Sequence, residues 1–246
     1  MWRSGTFQDM PELLLMSSSR VFGGGYLEYA RDTIIEFLDG RQTVHFVPFA
    51  LADQAAYTAQ VTQDLANYDA RVVGLEELAP HAAIDAVETA DVLFVGGGNS
   101  FRLLKRLQEL GLVEVVRRRV MAGELRYMGS SAGSNMACPS LRTTNDMPIV
   151  QPASFSAFGL IPFQINPHYV DADPGSTQMG ETRERRIAEF LEENDVPVLG
   201  LREGAWLRQR AHQLELNGIS GGRLFRRGTP PEEIAPGTDL SWLLHR

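Results

Sequence analysis

Gly129-Ser130-Ser131-Ala132-Gly133 places a serine between two glycines in the order G-x-S-x-G, directly after a strand-like segment, 125–128, and before a stretch compatible with a helix. A serine on a sharp strand-to-helix turn holds its hydroxyl clear of the sheet, and glycines flank it where a side chain would strike a neighbouring strand. The motif register selects Ser131 over Ser130 and Ser134. At the start of the following helix, the N–H of Ala132 faces an oxygen that turns anionic during acyl transfer. The chemistry implied is nucleophilic attack on a carbonyl.

A serine hydroxyl is a poor nucleophile until a base takes its proton, and the chain offers five histidines. His45 falls within a buried-strand pattern, His81 at the start of a surface helix and His245 at the C-terminus, positions that structure alone explains. His168, in Gln164-Ile165-Asn166-Pro167-His168, lies just past an expected strand end, where parallel sheets carry their site residues. His212 is the reserve. A carboxylate should hold the imidazole tautomer, and two fit: Asp146 in Thr144-Asn145-Asp146-Met147-Pro148, and Glu203 in Leu201-Arg202-Glu203-Gly204. Glu203 is preferred because it follows an apolar strand and precedes a glycine; Asp146 could equally line a pocket or cap a turn.

A second strand-to-helix turn, Gly96-Gly97-Gly98-Asn99, lets backbone amides approach a bound group closely, so Gly98 can complete an oxyanion hole with Ala132. It is not a dinucleotide fingerprint, since Gly98 is followed by Asn99, Ser100 and Phe101. No set of His, Cys and carboxylates has metal-ligand spacing, so a site without metal or cofactor is expected.

These residues need a scaffold that brings strand ends together. Strands are expected at 12–16, 43–49, 71–75, 91–95 and 125–128, alternating with helices at 26–38, 53–68, 84–89 and from Asn99 through the stripe Phe101, Leu104, Leu107 and Leu110. Apolar strands alternating with helices predict an α/β fold, a doubly wound and mostly parallel sheet with helices on both faces. Beyond residue 140 repeated prolines break the pattern, and this half is expected to build the site. It holds a helix at 180–193 and a closing meander at 196–201, 205–209 and 212–216.

With 43% apolar residues in 246, one domain spanning 1–246 is expected. A net charge of −8 and no basic block beyond Arg117-Arg118-Arg119, read as a solvated helix face, exclude a nucleic-acid footprint. The apolar runs are too short to span a bilayer, the N-terminus lacks a signal-peptide pattern, and the single cysteine, Cys138, has no partner for an internal disulfide. A cytoplasmic protein with no membrane partner follows; a homo-oligomer is compatible with all of this.

From these motifs the chain resembles the serine peptidase family of the aspartyl dipeptidases (peptidase E) and cyanophycinase. The matching residues are Gly96–Asn99 with Phe101; Gly129–Gly133 with Asn135, Ala137, Cys138 and Pro139; Arg142–Val150; Gln164–His168; and Gly180–Glu184. The resemblance implies a sheet like that of class I glutamine amidotransferases and hydrolysis of small peptides with N-terminal aspartate. It carries the nucleophile to Ser131, the base to His168, the oxyanion hole to Ala132 with Gly98 or its neighbours, and the acidic member to Glu203 or Asp146. It also implies a cation for the substrate's aspartate, for which Arg183 is chosen, with Asn99 and Asn145 holding polar groups of the substrate. Two departures stand out: Ser130, where the family often has a larger residue, and the length of the segment 170–178. Rival readings are a cyanophycinase-like or esterase activity on the same serine, and a catalytically silent module that binds a small metabolite.

Overall fold

The computed structural model describes residues 10–173, 175, 177 and 180–245. Five strands, β1 (Glu12–Met16), β2 (Thr43–Val47), β3 (Arg71–Gly74), β4 (Val92–Val95) and β5 (Arg126–Ser130), run parallel in the order β3-β2-β4-β5-β1. They are short apolar runs with both faces covered; all of β4, Val92-Leu93-Phe94-Val95, is buried.

Alternate side chains of each strand feed opposite layers. Leu14, Met16, Val92 and Phe94 pack under α1 (Arg31–Leu38) and α2 (Gln54–Leu65) through Ile34, Phe37, Tyr57 and Val61. On the other face Leu13, Leu15, Leu93 and Val95 meet α3 (Pro80–Thr89), α4 (Ser100–Glu109), α5 (Leu112–Met121) and α6 (Ala132–Ala137). The doubly wound α/β expectation therefore holds, with caps where the sequence supplies them: the side chains of Asp53 and Asn99 accept the N–H of Ala56 and Arg102.

The second half departs from the expected meander. β6 (Gln164–Pro167) and β7 (Val198–Leu201) pair in parallel and, with β10 (Gly222–Phe225) and β11 (Glu232–Ile234), form a separate four-stranded sheet in the order β11-β10-β7-β6. Only β8 (Ala205–Arg210) and β9 (Gln213–Gly218), with the short β12 (Thr238–Asp239), extend the main sheet, β8 lying antiparallel to β1. α7 (Arg183–Glu193) covers the small sheet through Ile187 and Leu191 against Val198 and Phe225. Ile165, Leu199 and Leu224 of that sheet share one apolar cluster with Leu13 and Val95 of the main sheet.

The basic triplet is also not uniformly solvated. Arg119 is buried and donates to the carbonyls of Val87, Ala90 and Glu124, tying α5 to the end of α3, whereas Arg117 and Arg118 are exposed. Its stem packs apolar surface while its fork satisfies helix-end carbonyls that would otherwise lack donors. Among the described residues, no helix is long and apolar enough to cross a membrane.

Candidate active site

Ser131 occupies the turn between β5 and α6 with φ 54° and ψ −112°, a strained conformation for a residue with a side chain. Gly129 makes the turn feasible, since a Cβ there would lie 2.7 Å from the backbone of Gly133. The N–H of Ser131 donates to Met16 O at 3.0 Å, and Ser134 Oγ donates to the same carbonyl at 2.6 Å. The hydroxyl-bearing turn is thus pinned to the end of β1.

His168 follows the last residue of β6, also at positive φ, 52°. Its Nε2 lies 2.9 Å from Ser131 Oγ and its Nδ1 lies 2.7 Å from Glu203 Oε1. An ionised carboxylate only accepts, so it fixes the proton on Nδ1 and leaves Nε2 to accept the Ser131 hydroxyl proton. Glu203 sits in the connection between β7 and β8, where the chain passes from the small sheet to the main one. Parallel pairing of β6 with β7 puts His168 and Glu203 at neighbouring strand ends.

The glycine turn after β4 closes the other side. A Cβ on Gly97 would lie 3.1 Å from Ser131 Cβ, so its backbone passes directly over the serine. Gly98 has φ 127° with Ala50 and Leu51 crowding its Cα, a position only glycine fills without strain. The Gly97 N–H donates to Tyr57 Oη at 3.0 Å and the Asn99 N–H to Ala50 O at 3.1 Å. Among the described residues, neither the Gly98 N–H nor the Ala132 N–H is paired with a protein acceptor outside regular helix and strand bonding.

This geometry is accompanied by extensive likeness to known proteins. The model of Peptidase family S51 matches residues 13–217. The chain belongs to peptidase family S51. It is 59% identical to "Peptidase E" of Streptomyces coelicolor over 94% of both chains. It is 44% identical to a "Probable alpha-aspartyl dipeptidase" of Drosophila melanogaster over 95% of this chain and 98% of that one. In fold it is similar to a crystal structure of a putative peptidase E protein from Listeria monocytogenes, with a TM-score of 0.66 and 22% identity, covering 86% of this chain and all of that one.

In this S51 peptidase the two carboxylate candidates separate. Asp146 does not reach His168; its Oδ2 accepts from Ser100 N–H at 2.7 Å and Ser100 Oγ at 2.6 Å, anchoring the first turn of α4 directly after the glycine turn. A carboxylate suits that place because the first N–H groups of a helix have no acceptor of their own.

Asn99 and Asn145 are engaged by the scaffold. Asn99 Oδ1 caps α4 and its Nδ2 donates to Met147 O at 2.9 Å. Asn145 Nδ2 donates to Pro167 O and its Oδ1 accepts from Asn166 Nδ2, each at 2.7 Å, bracing the strand end that carries His168.

Arg183 begins α7, next to the cap Thr182, and is half-buried. It is not part of an i,i+4 pair; on this helix those contacts belong to Arg185 with Glu189, while Arg186 meets Glu181. Burial pushes the guanidinium pKa down, with Arg186 adding to the effect and the nearby Asp146 charge opposing it. No carboxylate lies within ion-pair distance of Arg183 among the described residues. The segment 170–178, whose length was expected to differ, includes 174, 176 and 178, which fall outside the described residues.

Two contributors escaped the sequence reading. Ser17, fully buried at the end of β1, accepts the His168 N–H at 2.9 Å and donates to Leu201 O at 2.7 Å. Its signal was its place just past a strand end, the criterion that selected His168. Tyr57, a core aromatic of α2 by spacing, gives no sequence hint of its bond to Gly97.

Proposed function

We propose that this S51 peptidase hydrolyses small peptides that begin with aspartate, Asp-Xaa dipeptides above all, through an acyl-enzyme on Ser131. The carrying observation is the unbroken contact chain from Ser131 Oγ through His168 to Glu203. His168 Nε2 takes the hydroxyl proton as Oγ attacks the scissile carbonyl, and Glu203 stabilises the imidazolium that forms. The N–H groups of Gly98 and Ala132 receive the oxyanion. His168 then gives its proton to the leaving amine, the C–N bond breaks, and a water activated by the same Nε2 hydrolyses the ester to release aspartate.

The guanidinium of Arg183, half-buried and without a carboxylate partner among the described residues, suits the substrate's side-chain carboxylate, because a planar fork binds a carboxylate bidentately. The name of the Drosophila relative supports the same substrate class. No step needs a metal or cofactor. A cytoplasmic setting is consistent with the buried free thiol of Cys138.

The test is hydrolysis of Asp-, Glu-, Asn- and Leu-headed chromogenic amides by wild type, Ser131→Ala and Arg183→Ala. Selective Asp cleavage, reduced by about 10³-fold or more in Ser131→Ala, is expected. Arg183→Ala should raise KM for the Asp substrate far more than for the others. Full activity in Ser131→Ala would overturn the reading.

A further inference from the structure

The three groups of the catalytic chain come from two different sheets. Ser131 rides on β5 of the main sheet, whereas His168 and the approach to Glu203 hang from β6 and β7 of the small one. Among the described residues no strand pairing joins those two sheets. Hydrogen bonds do cross from α6 to β6, Asn135 Nδ2 donating to Ile165 O at 2.8 Å and the Ile165 N–H to Cys138 Sγ at 3.2 Å. They lie several residues from Ser131 and three from His168, whose Oγ and Nε2 stand 2.9 Å apart. Apolar contacts are non-directional and tolerate sliding; hydrogen bonds are not so tolerant.

Two adjacent residues at the end of β1 add registration at the reacting groups themselves. Met16 O accepts from Ser131 N at 3.0 Å and from Ser134 Oγ at 2.6 Å, fixing the serine turn. The next residue, Ser17, reaches the other way: its Oγ accepts the His168 N–H at 2.9 Å and donates its proton to Leu201 O at 2.7 Å, two residues before Glu203. Ser17 is completely buried, so both bonds are shielded from competing water. Its acceptor role falls on the N–H of a residue held at φ 52°, a conformation that persists only where surroundings over-determine it.

We propose that Ser17 is a positioning residue for catalysis: its buried hydroxyl sets the imidazole of His168 and the strand end leading to Glu203 against a serine turn fixed by the neighbouring Met16 carbonyl. This rests on the assignment of Ser131 and His168 made above. The predicted defect lies in the chemical step, because substrate contacts through Arg183 do not pass through Ser17.

The experiment compares wild type, Ser17→Ala, Ser17→Cys and Ser131→Ala in two assays: kcat and KM on an Asp-headed amide, and the rate of labelling by a fluorophosphonate, which reports serine activation without substrate recognition. Thermal melting and circular dichroism verify that each variant is folded; Ser17→Cys keeps nearly the same volume while offering only a weak hydrogen-bonding group, in case the alanine variant does not fold. Displacement of a catalytic group by about 1 Å costs on the order of 10²-fold, so kcat and labelling rate should fall together by roughly 10- to 100-fold with KM within about twofold. Folded Ser17 variants with wild-type kcat and labelling, or with a defect confined to KM, would overturn the proposal. Failure of the underlying assignment shows itself separately, as wild type that resists labelling or Ser131→Ala that retains it.

Discussion

Gly133 passes so close to Val95 that a Cβ on it would stand 2.0 Å from the Val95 carbonyl oxygen. The contact ties the start of α6 to the end of β4, and so holds the serine turn beside the glycine turn. The obstructing atoms are backbone and cannot rotate away. Gly133→Ala is expected to cost about 3 kcal/mol or more, overpacking combined with backbone displacement. At Gly97 a methyl would meet Ser131 Cβ at 3.1 Å, a clash that a few tenths of an ångström relieve. Gly97→Ala should therefore stay folded and lose kcat by roughly 10- to 100-fold. Melting temperatures with kcat for the two variants check the contrast, and equal stability losses would refute it.

The carboxylates should separate in the same way. Glu203→Gln keeps the shape but removes the charge that opposes the imidazolium, so kcat should fall by roughly 10²- to 10⁴-fold with an unchanged melting curve. The lower end is expected because Glu203 is 54% exposed and partly screened. Asp146→Ala removes the acceptor for Ser100 at the start of α4, and should cost about 1 kcal/mol of stability as lost caps do, with activity falling as the adjacent glycine turn loosens. Denaturant midpoints measured beside kcat decide it; a Glu203→Gln enzyme at wild-type rate would remove Glu203 from the mechanism.

What the sequence disclosed follows from how local each signal is. The five parallel strands, the glycine turns and the Asn99 cap each declare themselves within a few residues, so their types and order could be read directly. The small sheet could not. β7 and β8 are separated only by Arg202-Glu203-Gly204, yet they enter different sheets because of partners far away in sequence. The same limit applies to the site. Ser131 and His168 were marked by motif and position, but the choice between Glu203 and Asp146 turned on a contact across 35 residues, and the bond of Ser17 to Leu201 spans 184.

Cys138 sits at the end of α6 with no exposure, its sulfur 3.2 Å from the Ile165 N–H. Burial pushes its thiol up to about 12, so the thiolate that reacts with electrophiles is scarcely populated at neutral pH. Iodoacetamide or a disulfide reagent at pH 7–8 should leave the folded protein unlabelled and fully active, with one thiol titrating after denaturation. Rapid labelling of the native protein would contradict this burial.

Beside Glu203, Arg202 holds Asp171 with Nε and Nη2 at 2.8 and 2.9 Å and also binds Glu233, so the segment after His168 is fastened to β11. The Arg202 hydrogen bonds keep the Asp171 carboxyl below its ordinary range, with Arg223 adding to the effect. A carboxyl with a lowered folded-state pKa stabilises the fold above its unfolded value, near ~3.9, and that contribution disappears as pH falls through the lower folded value. Melting temperature should therefore decline below about pH 4. Asp171→Asn, which cannot titrate, should make that decline shallower while lowering stability at pH 7. Thermal melts of both proteins from pH 7 down to pH 2.5 check the sign: parallel curves would mean that Asp171 is not held by Arg202 in solution.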